Sequence, residues 1–209
     1  MIKRLTDEII FPDYSEANRD GILAYGGDLK PERLKLAYRK GIFPWYSPGE
    51  PILWWFPNPR FVLFPAELRI SKSMKKILDD QTFRITENQA FEQVISNCQK
   101  IYRPGQQGTW ITNEMKEAYT ALHKMGIARS VEAWQNDELV GGFYGIEQER
   151  IFCGESMFAK VSNASKAAFI HFVQKYQNRY ELIDCQVYTP HLASLGAREI
   201  PANDFLKFL

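Results

Sequence analysis

The sequence has few of the side chains that build disulfide frameworks and metal sites. Only three of its 209 residues are cysteines, Cys98, Cys153 and Cys185, and they lie far apart within apolar stretches. An odd number at such spacing predicts reduced thiols in the core rather than disulfides or metal ligands. The histidines are equally few and widely spaced, so we predict no metal site.

Long apolar runs are also missing. No uninterrupted stretch approaches the roughly 20 residues that a membrane-spanning helix requires. The first segment, MIKRLTDEIIFPDYSE, carries acids where a signal peptide has its apolar region. We therefore predict a cytoplasmic protein that does not bind membranes. Its hydrophobic content of 45% suits one large domain, or a large domain and a small one.

An excess of charge of one sign is absent overall, since the net charge is +1, but the charge is unevenly distributed. Residues 1–76 carry 13 Lys and Arg against 9 Asp and Glu, whereas residues 77–209 carry 13 against 16. Such clustering favours a polyanion, and the alternative is two solvated helix faces. The basic positions of the two clusters are Lys30, Arg33, Lys35, Arg39 and Lys40, then Arg69, Lys72, Lys75 and Lys76.

Proline is concentrated in one segment, FPWYSPGEPILWWFPNPR, which has five prolines and six aromatic residues in 18 positions. This composition predicts neither a regular helix nor a central strand, and we expect a rigid, aromatic-lined connector. A domain boundary at its end gives a small N-terminal domain, residues 1–60, and a larger domain, residues 61–209.

The larger domain shows alternating helix and strand patterns. Phe91, Val94, Ile95 and Cys98 follow amphipathic helical spacing, and a second helix is predicted to begin at Thr112 and bury side chains as far as Met125. The stretches RSVEAW, LVGGFYGI and RIFCGESMF predict antiparallel strands. A helix after Asn163 and then the strand LIDCQVY predict a parallel pair.

This order predicts an α+β fold with a mixed, mostly antiparallel sheet, and it resembles the GCN5-related acyltransferase (GNAT) fold. In that family a glycine-containing loop before the late helix grips the pyrophosphate of coenzyme A. The corresponding loop here is AKVSN, without glycine. The resemblance therefore implies the architecture with a different acyl donor.

Two neighbouring apolar strands carry carboxylates, Glu155 in RIFCGESMF and Asp184 in LIDCQVY. A lone buried charge costs several kcal/mol unless it is paired or hydrogen-bonded. Side-chain alternation places Asp184 and Gln186 on one face, with Cα atoms roughly 6.5 Å apart. The alternative is that each acid braces a loop, but the three residues together favour a polar pocket.

Aromatic and glycine-rich turns give a second indication. Trp45, Trp54, Trp55 and Trp110 are predicted in turns, where a ring can stack a nucleobase, although core packing is the alternative for each. The sequence GQQG at 105–108 matches the GxxG of a KH loop without its helical context, and we interpret it as coincidence. Glycines 141, 142 and 145 within a strand predict a bulge or the close approach of a ligand.

The chain resembles the leucyl/phenylalanyl-tRNA-protein transferase family over nearly its whole length. The resembling segments are DGILAYGGDL, AYRKGIFPWYSPGEPILWWFPNPR, GTWIT, ELVGGFYGI, FCGESMF, NASK, LIDCQV and ASLGAREIP. The family moves leucine or phenylalanine from leucyl-tRNA or phenylalanyl-tRNA to the N-terminal amine of proteins that begin with Arg or Lys, marking them for degradation. The resemblance implies a bacterial, cytoplasmic monomer that needs no metal and no cofactor.

The resemblance also implies roles for particular residues. Gln186 would orient the acceptor amine, Asp184 would balance charge, and Glu155 would hold the donor amino group or the acceptor's positive side chain, without a covalent enzyme intermediate. Trp45 and Trp110 would hold the terminal adenosine, and the two basic clusters would contact the tRNA backbone. The aminoacyl side-chain pocket, expected to reject β-branched Val and Ile, would be lined by Phe143, Phe152, Met157, Ala167, Phe169, Phe172 and Ile183.

Three other functions compete with this interpretation. An acyl-CoA N-acyltransferase is favoured by the fold pattern and opposed by the AKVSN loop. A noncatalytic RNA-binding module would use Asp184 and Gln186 only to brace the sheet. A peptidoglycan-type aminoacyl transferase would share the donor but acylate an amine of a cell-wall precursor.

Overall fold

The computed structural model describes residues 2–101 and 109–209, so the GQQG segment lies outside the described residues. The strands are β1 (Lys3–Leu5), β2 (Ile22–Gly26), β3 (Phe43–Pro44), β4 (Leu53–Trp55), β5 (Arg60–Leu63), β6 (Arg84–Glu87), β7 (Ala128–Gln135), β8 (Glu138–Glu147), β9 (Ile151–Ala159), β10 (Leu182–Gln186) and β11 (Arg198–Ile200). The α-helices are α1 (Pro31–Arg39), α2 (Lys72–Asp79), α3 (Phe91–Lys100), α4 (Asn113–Lys124), α5 (Ala164–Tyr176), α6 (Pro190–Ser194) and α7 (Ala202–Phe205).

A small sheet near the N-terminus has the strand order β1-β2-β4-β3. Strand β4 lies between β2 and β3 and pairs antiparallel with both. The prediction that the proline-rich segment contains no central strand was therefore wrong. Because the prolines lie outside Leu53–Trp55, they remove no hydrogen-bond donor from this strand.

The larger sheet has the order β11-β5-β10-β9-β8-β7-β6. Among its described neighbours, only β9 and β10 run parallel, and α5 connects them. The α+β class with a mixed, mostly antiparallel sheet is thus confirmed. The parallel pair brings the strands that carry Glu155 and Asp184 side by side.

Helices cover both faces of this sheet. Helix α3 buries Phe91, Val94, Ile95 and Cys98 as their spacing predicts. Thr112 caps α4 by accepting a hydrogen bond from the amide of Met115, also as predicted. Met125, by contrast, is 51% exposed, because it lies just beyond the last turn of α4. None of the helices in the described ranges is long and apolar enough to cross a membrane.

Helix α5 covers the opposite face, and a glycine sets how closely it approaches. A Cβ added at Gly141 would lie 2.5 Å from the Cβ of Ala164, in the first turn of α5. The close approach at this glycine is therefore made by a helix rather than by a ligand. The bulge predicted in the same strand is present at Tyr144 and Gly145, where the β8–β9 register shifts.

The N-terminal sheet and the larger sheet share one hydrophobic core. Trp54 of β4, Phe205 of α7 and Tyr144 of β8 are buried in a single cluster. The proposed boundary near residue 60 remains a prediction, because this packing is continuous across it.

Candidate active site

A cavity of about 540 Å³ opens where β9 and β10 meet the aromatic segment that follows β3. Its wall brings together most of the residues predicted for catalysis, for the adenosine and for the aminoacyl pocket, namely Trp45, Trp110, Phe143, Glu155, Met157, Phe169, Ile183 and Gln186. Further lining residues that the sequence did not indicate include Phe43, Tyr144, Ser165, Cys185, Thr189 and His191.

One side of the cavity is an apolar wall with a second aromatic layer behind it. Phe143 lines the cavity and contacts Phe152 and Phe172 edge-on, with ring centres 6.0 and 5.5 Å apart. Phe152, Ala167 and Phe172 are fully buried and do not line the cavity, so the expectation that they line it is corrected. Phe152 and Phe172 instead pack behind Phe143 and fix the position of its ring.

Both tryptophans expected to hold an adenosine lie on the cavity wall. The main-chain oxygen of Trp45 accepts a 2.6 Å hydrogen bond from the indole of Trp55, and the two rings are 5.3 Å apart. Trp54 and Trp55 were predicted in turns, which was wrong, since both belong to β4. Trp54 is buried, and its indole donates to the carbonyl of Gly26.

Polar groups converge at the end of the parallel pair. The side-chain Nε2 of Gln186 donates to Oε1 of Glu155 over 2.8 Å, and the hydroxyl of Tyr119 donates to Oε2 over 3.0 Å. Tyr119 is in turn hydrogen-bonded to Tyr38 of α1. Glu155 is only 9% exposed. Strand β10 and helices α4 and α1 thus hold the Glu155 carboxylate at the cavity wall.

The protonation of Glu155 is set by opposing effects. Its pKa is raised from 4.5 to about 7, with burial as the largest cause; the negative charge of Asp184 also raises it, whereas the hydroxyls of Tyr38 and Tyr119 and the side-chain amide of Gln186 lower it. The carboxyl group therefore exchanges a proton close to neutral pH. Groups with this property are common at catalytic sites.

Asp184 does not lie on the cavity wall. It is 1% exposed and bound by Arg60 through two hydrogen bonds of 2.8 and 2.6 Å. The prediction that the side chains of Asp184 and Gln186 share one face of the strand is corrected by a shift of register between them, where Gln186 adopts a positive φ of 64°. The Asp184 carboxylate accepts the backbone N–H of Gln186 over 2.9 Å and so fixes this bend.

Sequence reasoning missed Arg60, Tyr38 and Tyr119 at this site. The guanidinium of Arg60 is buried between the rings of Phe43 and Phe205, 4.9 and 4.6 Å from their centres. A buried aspartate needs a partner, and that requirement could have directed attention to an arginine next to a predicted strand. Tyr38 and Tyr119 gave no local signal, because only the tertiary fold brings them to Glu155.

The basic clusters are exposed with one exception. Arg33 is 0% exposed, and it donates to the main-chain oxygens of Thr6 and Glu8 and to Asp28. The expectation that Arg33 contacts a tRNA backbone is therefore wrong, since its guanidinium joins parts of the N-terminal region. The remaining basic side chains are exposed or half-buried, namely Lys30, Lys35, Arg39, Lys40, Arg69, Lys72, Lys75 and Lys76.

The thiols near the site are neutral. Burial is the main cause that raises the pKa of Cys153 and of Cys185, and the charge of Asp184 raises both further. Cys185 lines the cavity but is not a thiolate at neutral pH. In the described part of the chain, no group of three or more His, Cys, Asp or Glu side chains could hold a metal ion.

Comparison with known proteins identifies a family. The family model "Leucyl/phenylalanyl-tRNA protein transferase" matches residues 62–209, and the model of its N-terminal domain matches residues 27–58. A leucyl/phenylalanyl-tRNA--protein transferase from Flavobacterium johnsoniae is 61% identical over 98% of this chain and 97% of its own length. The protein of the same name from Pectobacterium carotovorum is 57% identical, over 95% of this chain and 85% of its own.

Solved structures give a weaker likeness. L-PGS from Bacillus licheniformis is 12% identical with a TM-score of 0.41, over 82% of this chain and 57% of that chain, which is too distant to bear on function. The family models and the named relatives, by contrast, match this sequence over almost the whole chain. This chain belongs to the leucyl/phenylalanyl-tRNA protein transferase family.

Proposed function

We propose that this protein transfers leucine or phenylalanine from aminoacyl-tRNA to the N-terminal α-amine of proteins that begin with Arg or Lys. The observation that carries the proposal is a single cavity that combines two tryptophans, an apolar wall and the Glu155–Gln186 pair. The names of the relatives agree with it.

The donor fits the apolar part of the cavity. Trp45 and Trp110 stack the terminal adenosine, a contact worth about 1–3 kcal/mol per base. Met157 and the rings of Phe143 and Phe169 receive the leucine or phenylalanine side chain. An unbranched Cβ is favoured, because a flexible methionine beside aromatic rings suits a side chain that widens beyond its Cβ better than one that branches at it, such as Val or Ile.

The acceptor fits the polar part. An N-terminal amine has a pKa of about 7.7–8.0 and is mostly protonated at neutral pH, so it must lose a proton before it can attack. Glu155 supplies a negative charge beside which the amine can bind, and Gln186 orients it. Asp184 acts through Gln186, because its carboxylate is bound by Arg60 and by the backbone N–H of Gln186.

Transfer is direct aminolysis. The amine nitrogen attacks the ester carbonyl carbon, the bond to the ribose oxygen breaks, and that oxygen leaves with a proton. Cys185 is the thiol on the cavity wall, and because burial raises its pKa it is a poor nucleophile. No covalent enzyme intermediate is required.

The exposed lysines and arginines of α1 and α2 contact the tRNA backbone. Lys72, Lys75 and Lys76 lie on α2, and each is exposed. Phosphate contacts of this kind give binding that depends on salt and little on sequence.

Several finer features belong to the same proposal. The antiparallel run β7–β9, followed by α5 and the parallel strand β10, supports a GNAT-like catalytic domain after residue 60. The protein acts as a monomer in the cytoplasm, where aminoacyl-tRNA is made. The added residue marks the acceptor protein for degradation.

The proposal is tested with radiolabelled leucyl-tRNA and two peptides that differ only at the N-terminus, one with a free Arg and one N-acetylated. We expect label on the free peptide only, because the acetylated nitrogen cannot attack. Label on neither peptide, with leucyl-tRNA still bound, would show that the protein binds the donor without transferring it.

A further inference from the structure

A chain of hydrogen bonds connects the N-terminal region to the cavity. Tyr38 of α1 is bonded to Tyr119 of α4, and Tyr119 donates to Oε2 of Glu155 over 3.0 Å. Tyr119 has a single hydroxyl proton and directs it at Glu155, so Tyr38 donates to the Tyr119 oxygen. Both tyrosines are almost completely buried. The transfer reaction as described above assigns neither of them a role.

Four elements of the described chain surround Glu155. Tyr119 of α4 and Gln186 of β10 donate to the carboxylate, and Tyr38 of α1 donates to Tyr119. Asp184, also on β10, opposes its ionisation, although Arg60 of β5 neutralises the Asp184 charge at 2.6 Å. Burial is the main cause that raises the pKa of both tyrosines, and the charge of Glu155 raises it further. They therefore remain donors throughout the working pH range.

We propose that Glu155 is the catalytic base of the transfer reaction, and that Tyr38 and Tyr119 are positioning residues that hold its carboxylate ionised and directed at the acceptor amine. The inference rests on the transfer function proposed above. It favours Glu155 over Gln186 as proton acceptor, because an amide oxygen is a far weaker base than a carboxylate.

The proton transfers balance without any further reactant. The acceptor ammonium gives a proton to the Glu155 carboxylate and becomes an amine. Its nitrogen forms the new bond to the ester carbonyl carbon, and the ribose oxygen leaves with the second proton of that nitrogen. Glu155 then releases its proton to solvent, and the enzyme returns to its starting state.

The test is the pH dependence of the transfer rate from leucyl-tRNA to an Arg-peptide, measured as initial rates. Tyr119→Phe removes one hydrogen bond to the carboxylate and should move the acidic limb of the profile up by about one pH unit. The rate should then fall about tenfold at pH 6 and stay within about twofold at pH 8.5. Tyr38→Phe should shift the limb in the same direction, and Glu155→Gln should lose about 100-fold or more at every pH.

Tyr14→Phe is the matched control, because it removes a tyrosine hydrogen bond, to Asn203, away from the cavity, and its profile should equal that of the unmodified protein. Melting curves confirm that each variant folds. An acidic limb that does not move in either Tyr38→Phe or Tyr119→Phe, or an equal fall in rate at every pH, would overturn the inference while the proposed function stands. No transfer by the unmodified protein would overturn the proposed function itself, and the inference with it.

Discussion

At the scale of single residues, the site depends on two carboxylates held in opposite electrostatic environments. Asp184 is buried against Arg60, whose guanidinium balances its charge. In the described part of the chain, the two groups that donate hydrogen bonds to Glu155 are neutral, Tyr119 and Gln186. The first carboxylate is a fixed structural anion, and the second is the one that can exchange a proton near neutral pH.

The raised pKa of Glu155 makes the stability of the fold depend on pH. Its pKa is about 7 in the folded protein against an ordinary 4.5, so its contribution is fully present below pH 4.5 and is lost as the pH rises to about 7. The loss is on the order of 3 kcal/mol. Urea unfolding at pH 5 and pH 8 should show this loss in the unmodified protein and not in Glu155→Gln. Equal changes in the two proteins would contradict the prediction.

Arg60 and Asp184 make a second prediction. Arg60→Met leaves the Asp184 carboxylate buried and unpaired, and should lower the free energy of unfolding by about 3–5 kcal/mol. Adding Asp184→Asn should restore much of that stability, because the buried charge is removed, while the asparagine oxygen still accepts the Gln186 amide. Denaturant unfolding measures the first effect.

Transfer activity of the same double variant separates two roles for Asp184. If Asp184 only fixes the bend at Gln186, the double variant should keep a transfer rate within about tenfold of that of the unmodified protein. This is the range expected for a small displacement of a positioning group. A stable double variant with no detectable transfer would show that the Asp184 charge itself is needed for the reaction.

At the scale of elements, the cavity exists because strands and helix approach each other closely at defined points. The register shifts between Tyr144 and Gly145 and between Asp184 and Gln186 lie beside the cavity, since Tyr144 and Gln186 line it. Helix α5 reaches the sheet over Gly141 and carries Phe169 into the wall. A substitution at either register shift or at Gly141 should therefore alter the site by changing how the strands and α5 pack.

Gly141→Ala tests the contact between α5 and the sheet. The new Cβ would lie 2.5 Å from the Cβ of Ala164 and 2.9 Å from the amide nitrogen of Ser165, so we expect a loss of about 1–3 kcal/mol in unfolding free energy. Gly154→Ala is the matched control for stability, since the nearest described atom to its Cβ would be the main-chain oxygen of Asp184, at 3.7 Å. Equal melting temperatures for the two variants would refute the packing argument.

Helix α2 makes a prediction about tRNA binding. Replacing Lys75 and Lys76 by Gln should weaken leucyl-tRNA binding and reduce the slope of log K against log salt by about 0.7–0.9 for each phosphate that is no longer neutralised. Lys124 and Lys207, both exposed, provide a control pair for the same substitution. Identical slopes for the two double variants would mean that α2 does not contact the tRNA backbone.

The sequence predicted features that depend on local pattern. The spacing of Phe91, Val94, Ile95 and Cys98 predicted the buried face of α3, because helical periodicity is a property of neighbouring residues. The strand-helix-strand order likewise predicted the parallel pair of β9 and β10. In the small sheet, β4 escaped prediction because three residues between prolines are too short to show alternation.

Features that depend on tertiary contacts could not be predicted. A basic helix pattern does not show that Arg33 folds back onto Thr6 and Glu8. The alternation rule failed at Asp184 and Gln186, because a register shift depends on the partner strand rather than on the strand's own residues. Tyr38 reaches Tyr119 from 81 residues away, and no local pattern encodes such a contact.

At the scale of the whole molecule, one hydrophobic core joins the N-terminal sheet to the larger sheet. Arg60 is enclosed by Phe43 and Phe205, and Tyr38 reaches the carboxylate network from α1. The N-terminal region therefore completes the site rather than being appended to it. In the function that we propose, this composite cavity both recognises the aminoacyl side chain and transfers it.

Donors that differ only in the aminoacyl group test recognition and transfer together. The same tRNA is charged with leucine, phenylalanine or valine, and the product on an Arg-peptide is identified by mass spectrometry under single-turnover conditions. We predict Leu-peptide and Phe-peptide products, and we expect the transfer of valine to be at least about tenfold slower. Transfer of all three at one rate would contradict recognition by the cavity, and bound donor without any amide product would contradict the reaction itself.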